Sequence, residues 1–194
     1  MRLHEIRFTA VLLFAWVLLS GGIACGEEKA MTPLSGGIPM IEGIKMLEVG
    51  AQAPDFSIKD TDGVPFHYAE EKGKSSFLMV FWSIFCEPCR AEMPIIQKLY
   101  EKYKGNGLNV VSIALDGDPL KSSIVGFVKQ EGYTFRTLID ELDAKEMFKV
   151  ADPYGVAGTP TVYLLDRTGK VRMAKAGRMM EEELEKAIQA LLKK

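Results

Sequence analysis

The sequence predicts an α/β domain in three layers, α/β/α, with a mixed central sheet and a β-hairpin added at its N-terminal end. Three observations carry this. SSFLMVFWS (75–83) is a continuous apolar run, as in a strand buried on both faces, and LNVVSIALD (108–116) reads as a second buried strand. A helical pattern follows each, which implies crossover connections and parallel strands. TPTVYLLD (159–166) and KVRMAKAG (170–177) then flank an Arg167-Thr168-Gly169 turn, which adds an antiparallel pair.

The elements are expected in this order. Phe56 and Ile58 alternate with polar residues, and Asp62-Gly63 is a turn signal, so a hairpin opens the domain. The 75–83 strand leads to a helix over about 87–103, with Ile95, Ile96, Leu99 and Tyr103 on one face. The 108–116 strand precedes an amphipathic helix, SSIVGFVKQEG (122–132), that ends at a glycine. FRTLID (135–140) predicts a short strand and AKEMFKVA (144–151) a short helix. The final hairpin is followed by a closing helix over 181–194, whose acidic start and basic end suit the helix dipole.

Composition narrows the function classes. Apolar residues make up 47% and charged residues 26% of the 194, a globular balance that can bury a core without staples. The net charge of −2 gives no basic excess for nucleic acid. Three cysteines, Cys25, Cys86 and Cys89, are too few for a disulfide scaffold. With no coiled-coil pattern, a monomer is expected.

The N-terminus has the parts of an export signal. Arg2 and Arg7 precede the uncharged run FTAVLLFAWVLLSGGIA (8–24), which ends in small residues. The arginines keep the short N-terminal end inside, by the positive-inside bias. Cys25 follows in GGIAC, which is similar to a lipoprotein lipidation site, although Gly22 stands where an aliphatic residue is usual. Lipidation at Cys25, an uncleaved anchor and ordinary cleavage are the three alternatives. Each places the domain outside the cytoplasm. Residues 1–25 are thus an export signal or anchor, 26–47 a Gly/Pro/Ser-containing spacer, and 48–194 the domain.

SIFCEPCR (83–90) carries the chemistry. Cys86 follows a buried strand, and Cys89 lies in the first turn of a helix. A helix N-terminus offers unpaired N–H groups and partial positive charge, so it stabilises a thiolate. Cys86, nearer the end, is the better nucleophile. Cys89, a turn further in, can attack a mixed disulfide formed by Cys86. Pro88 suits an early helix position. A tetrahedral metal site needs four ligands. There is no second cysteine pair, and His4 and His67 are the only histidines, so no metal is expected. Met173, Met179 and Met180 are expected to pack or to lie at the surface. A purely structural disulfide would close only a tiny loop. The pair is therefore expected to be redox-active.

FWSIFCEPCRAEMP resembles the active-site region of thioredoxin-fold proteins, above all the membrane-tethered TlpA/ResA-like thiol–disulfide oxidoreductases of bacteria. APDF with its following DG turn, Pro94, VVSIALD and GTPTVYLLDRTGKV extend the resemblance over about 48–192. It implies a thioredoxin-like fold, with Cys86 as attacking and Cys89 as resolving cysteine. It implies that Glu92 tunes thiol acidity and that Pro160, after Thr159, is a cis-proline facing the disulfide. Trp82, Phe85, Glu87 and Pro88 complete the expected substrate-facing surface. Val80 stands where cytoplasmic thioredoxins carry a buried Asp, which leaves Glu92 as proton relay. Phe85 replaces the usual Trp.

The implied activity is reduction of disulfides in exported proteins, apocytochrome c among them. A membrane donor of the thiol–disulfide type would recharge the pair, and no dissolved cofactor is needed. The alternatives are a disulfide-donating oxidant, or a non-catalytic assembly chaperone or metal carrier of the same fold.

Overall fold

The computed structural model describes residues 44–193. The export segment, Cys25 and most of the spacer lie outside the described residues. The last spacer residues pack onto the domain. Met46 and Leu47 lie against its core, and the Leu47 N–H donates to the Tyr163 hydroxyl at 3.0 Å.

A small antiparallel hairpin comes first, β1 (Ser57–Lys59) and β2 (Pro65–His67). Its turn is held by Asp60, whose Oδ1 accepts the N–H groups of Asp62 and Val64 at 3.0 and 2.8 Å. Gly63 supplies the positive φ of 84° that the turn requires. A one-turn helix, α1 (Tyr68–Glu71), follows. It is too short to show a period in the sequence, and it was not foreseen.

The five-stranded sheet has the order β5-β4-β3-β6-β7. Its strands are β3 (Ser76–Trp82), β4 (Leu108–Ala114), β5 (Arg136–Ile139), β6 (Thr161–Leu165) and β7 (Val171–Ala176). β3, β4 and β5 run parallel, while β6 is antiparallel to both β3 and β7. This is the mixed sheet the sequence predicts, with strand ends drawn in by one or two residues.

Alternate side chains of β3 build two cores. Phe77, Met79 and Phe81 face one side and pack with the hairpin, Tyr68, and Val150, Ala151 and Tyr154. Leu78, Val80 and Trp82 face the other side. There they meet Ile96 and Leu99 of α2 (Glu87–Tyr103), Ile124 of α3 (Lys121–Glu131), and Leu184 and Ile188 of α4 (Glu181–Leu192). All seven β3 residues are buried, at about 1.5–3 kcal/mol for each large side chain. This makes β3 the rigid support of whatever follows Trp82.

The short helix expected over 144–151 does not form. Polar side chains capture the backbone there and compete with helical bonding. Asp143 accepts the N–H groups of Lys145 and Met147, and Asp152 accepts that of Phe148. Asp140 accepts those of Val150 and Ala151, and Glu146 sits at a φ of 60°. The outer layer on this face is therefore the hairpin, the single turn of α1 and a run of turns, where helix was expected.

Candidate active site

The strand–loop–helix passage from β3 to α2 presents the cysteine pair. Cys86 is the N-cap of α2 and is half-buried. Cys89, in the first turn, is only 2% exposed. The two form a disulfide, with S–S 2.03 Å and Cα atoms 5.2 Å apart. The Cys89 N–H donates to the Cys86 Sγ at 3.2 Å, so the first sulfur takes the place of a capping oxygen. Glu87 and Pro88 between them are exposed. The outer sulfur is thus within reach of a partner, while the inner one is reached through it.

Glu92 lies three residues beyond Cys89, on the same face of α2. It is 2% exposed, far from the solvated position a helix carboxylate usually takes. One oxygen accepts the Met179 N–H at 2.9 Å, while the other has no protein partner among the described residues. Burial pushes its carboxyl above the ordinary glutamate range, against the Met179 N–H and the nearby Arg178 and Lys175.

The remaining expected residues gather at the same end of the sheet. β6 pairs with β3 as far as Phe81 opposite Thr161. Continuing that register sets Pro160 beside Trp82. The Thr159–Pro160 peptide is cis, Pro160 is buried and Thr159 half-buried. The Pro160 carbonyl accepts the Gly177 N–H at 2.8 Å, and the Thr161 hydroxyl donates to the Gly158 carbonyl at 2.7 Å. Trp82 is fully buried with its ring 5.6 Å from that of Phe127, so it supports the loop from beneath. Phe85 is 76% exposed beside Cys86, a large apolar ring turned to solvent. His67 and Met180 are exposed, and Met179 is buried.

Two contributors were not foreseen. Met179 serves through its backbone, which no residue type signals. Asp116, just beyond β4, accepts the Ser83 hydroxyl at 2.6 Å and the Ile84 N–H at 3.0 Å. The parallel register of two apolar runs, with Trp82 opposite Ala114, is the signal that could have placed it.

A buried cysteine behind a reachable one, at a helix N-terminus on a thioredoxin-like sheet, defines a thiol–disulfide oxidoreductase. Comparison with known proteins agrees. Residues 48–191 match the family described as Redoxin, and the chain belongs to that family. It is 32% identical to the thiol-disulfide oxidoreductase ResA of Bacillus thuringiensis (strain Al Hakam) over 189 residues, 95% of each chain. It is 34% identical to the ResA of Geobacillus thermodenitrificans over 143 residues, 74% of this chain and 78% of that one. A crystal structure from Chlorobium tepidum described as a thiol:disulfide interchange protein DsbE superposes with a TM-score of 0.66 at 32% identity, covering 75% of this chain and 99% of that one. The protein is a ResA/TlpA-like thiol–disulfide oxidoreductase.

Proposed function

We propose that the protein is a membrane-tethered, extracytoplasmic reductant of disulfides in exported proteins, with Cys86 as nucleophile, Cys89 as resolving thiol and Glu92 as proton relay. The observation that carries the reading is Glu92, a buried carboxylate on the cysteine face of α2 with one oxygen unpaired among the described residues. A buried carboxylate there disfavours a second negative charge on the inner sulfur and can take the proton of the Cys89 thiol.

The Cys86 thiolate attacks one sulfur of a client disulfide. The client S–S bond breaks, a Cys86–client disulfide forms, and the other client sulfur leaves as a thiolate. Cys89 gives its proton to Glu92 and attacks the Cys86 sulfur. The mixed disulfide breaks, the Cys86–Cys89 disulfide forms, and the second client sulfur leaves and is protonated. The client gains two electrons and the pair loses two. A membrane dithiol donor returns them by the reverse exchange.

Phe85 and the Thr159–Pro160 edge supply an apolar and backbone surface for an extended client strand. The run 8–24 and Cys25 support export and tethering. The client that the family resemblance implies is apocytochrome c, whose haem-attachment cysteines need to be reduced.

The opposite direction, donation of disulfides, has one observation in its favour. Cys86 caps a helix N-terminus, which stabilises a thiolate and makes a pair more oxidising. Glu92 opposes it. Reduction of an apocytochrome c peptide carrying a CxxCH disulfide tests the client and the roles together. Cys86→Ser is expected to abolish turnover, and Cys89→Ser to accumulate a covalent peptide adduct. Full function in Cys86→Ser would leave a non-catalytic binding protein. Normal reduction of a generic disulfide without reduction of the peptide would exclude the client.

A further inference from the structure

We infer that Asp116 is a positioning residue for the Cys86 nucleophile: its carboxylate takes up the loop donors just upstream of the sulfur, and so makes the pair more reducing. The inference rests on Cys86 being the attacking thiol.

Its basis is the parallel register of β3 and β4. Trp82 lies opposite Ala114, and the Leu115 N–H donates to the Trp82 carbonyl at 2.9 Å. The two chains leave the sheet side by side, which sets Asp116 against the loop that leads to Cys86. Its two oxygens divide the work. Oδ1 accepts the Ser83 hydroxyl at 2.6 Å, and Oδ2 accepts the Ile84 N–H at 3.0 Å. Ser83 passes the constraint on, for its Oγ accepts the Phe85 N–H at 3.2 Å and its carbonyl accepts the Cys86 N–H at 3.1 Å.

The N–H groups of residues 84, 85 and 86 are therefore all directed away from the sulfur, the first to Asp116 and the other two to Ser83. Among the described residues, the one hydrogen bond to the Cys86 sulfur comes from the helix side, the Cys89 N–H at 3.2 Å. Backbone donors aimed at a thiolate lower its pKa, and a nearby carboxylate raises it. Asp116 takes the Ile84 N–H away from the sulfur and adds a carboxylate to the base of the same loop, so both effects have the same sign. A less stable thiolate makes the disulfide harder to reduce, and the dithiol a stronger reductant. Asp116 is half-exposed, so solvent screening keeps the effect moderate. It acts on the loop from the end of β4, through Ser83 and Ile84, independently of Glu92 on α2.

The test uses the reduced full-length protein. The rate of Cys86 alkylation by iodoacetamide is followed against pH, with each cysteine identified by peptide mass spectrometry. The reduced fraction in a thiol–disulfide buffer is measured alongside. Asp116→Ala is expected to move the Cys86 midpoint downward by about half a unit, roughly threefold in thiolate fraction below it. It is also expected to raise the reduced fraction at fixed buffer. Ser83→Ala keeps the carboxylate and frees only the Phe85 N–H, so a smaller shift in the same direction is expected. Asp116→Asn carries the test should the alanine variant not fold, because it removes the charge at constant size. An unchanged or raised midpoint with an unchanged potential overturns the inference, whatever happens to melting temperature. If the wild-type thiol that reacts first is not Cys86, the reading of the nucleophile itself fails and takes this inference with it.

Discussion

Glu92 shows how one carboxylate can couple stability to chemistry. Its carboxyl is raised from the ordinary value of 4.5 chiefly because burial penalises the charged form. A raised carboxyl binds its proton more tightly folded than unfolded. Its stabilising contribution is therefore complete below about pH 4.5 and is lost as pH rises through the folded value. Glu92→Gln keeps an acceptor for the Met179 N–H and removes the titration. Thermal melts of wild type and variant are expected to diverge above about pH 4.5, with wild type losing stability relative to the variant. Parallel curves would show that Glu92 ionises freely in the fold. The variant is also expected to resolve mixed disulfides more slowly, read by quenched-flow trapping of the adduct. Glu92 was legible through the resemblance of FWSIFCEPCRAEMP to the family's active-site region. Its partner, 87 residues away at Met179, was not, since a backbone donor leaves no trace in residue type.

Among the elements, the segment after β5 departs most from its sequence pattern. AKEMFKVA has helical composition, yet Asp140, Asp143 and Asp152 bind the backbone N–H groups that a helix would need. Asp140 is the main anchor. It is fully buried at the end of β5 and accepts from Glu141, Val150 and Ala151 at 2.8–3.2 Å. Asp140→Ala would orphan these donors, at about 2–4 kcal/mol by the usual cost of buried unpaired groups. Chemical denaturation should show a lower midpoint of that order, with limited proteolysis directed to 141–155. A change within about 0.5 kcal/mol would mean that the turns hold themselves. The strands were legible for the opposite reason. β3 and β4 are apolar at every position but Ser76, Asn109 and Ser112 and lie mid-sheet, so burial on both faces overrides every local alternative. The single turn of α1 is below the length at which a period exists.

At the scale of the whole molecule, the sheet is a support that holds one redox pair at one end. β3 delivers Cys86, β4 delivers Asp116, and β6 delivers Thr159 and Pro160. These come from three regions of sequence brought together only by strand order. The cysteines, Glu92 and Pro160 could be read from motifs, but the clamp on the loop needed the register. The charged groups around the pair act in opposite senses. The α2 N-terminus favours thiolate, while Glu92 and Asp116 disfavour it, and the balance fixes the direction of electron flow. The reduction potential of the Cys86–Cys89 pair in the full-length protein, equilibrated with a thiol–disulfide buffer at pH 7, measures that balance directly. A reductant requires a value near or below that of thioredoxin, about −270 mV. A value near that of DsbA, about −120 mV, would make the protein a disulfide donor and contradict the proposed direction.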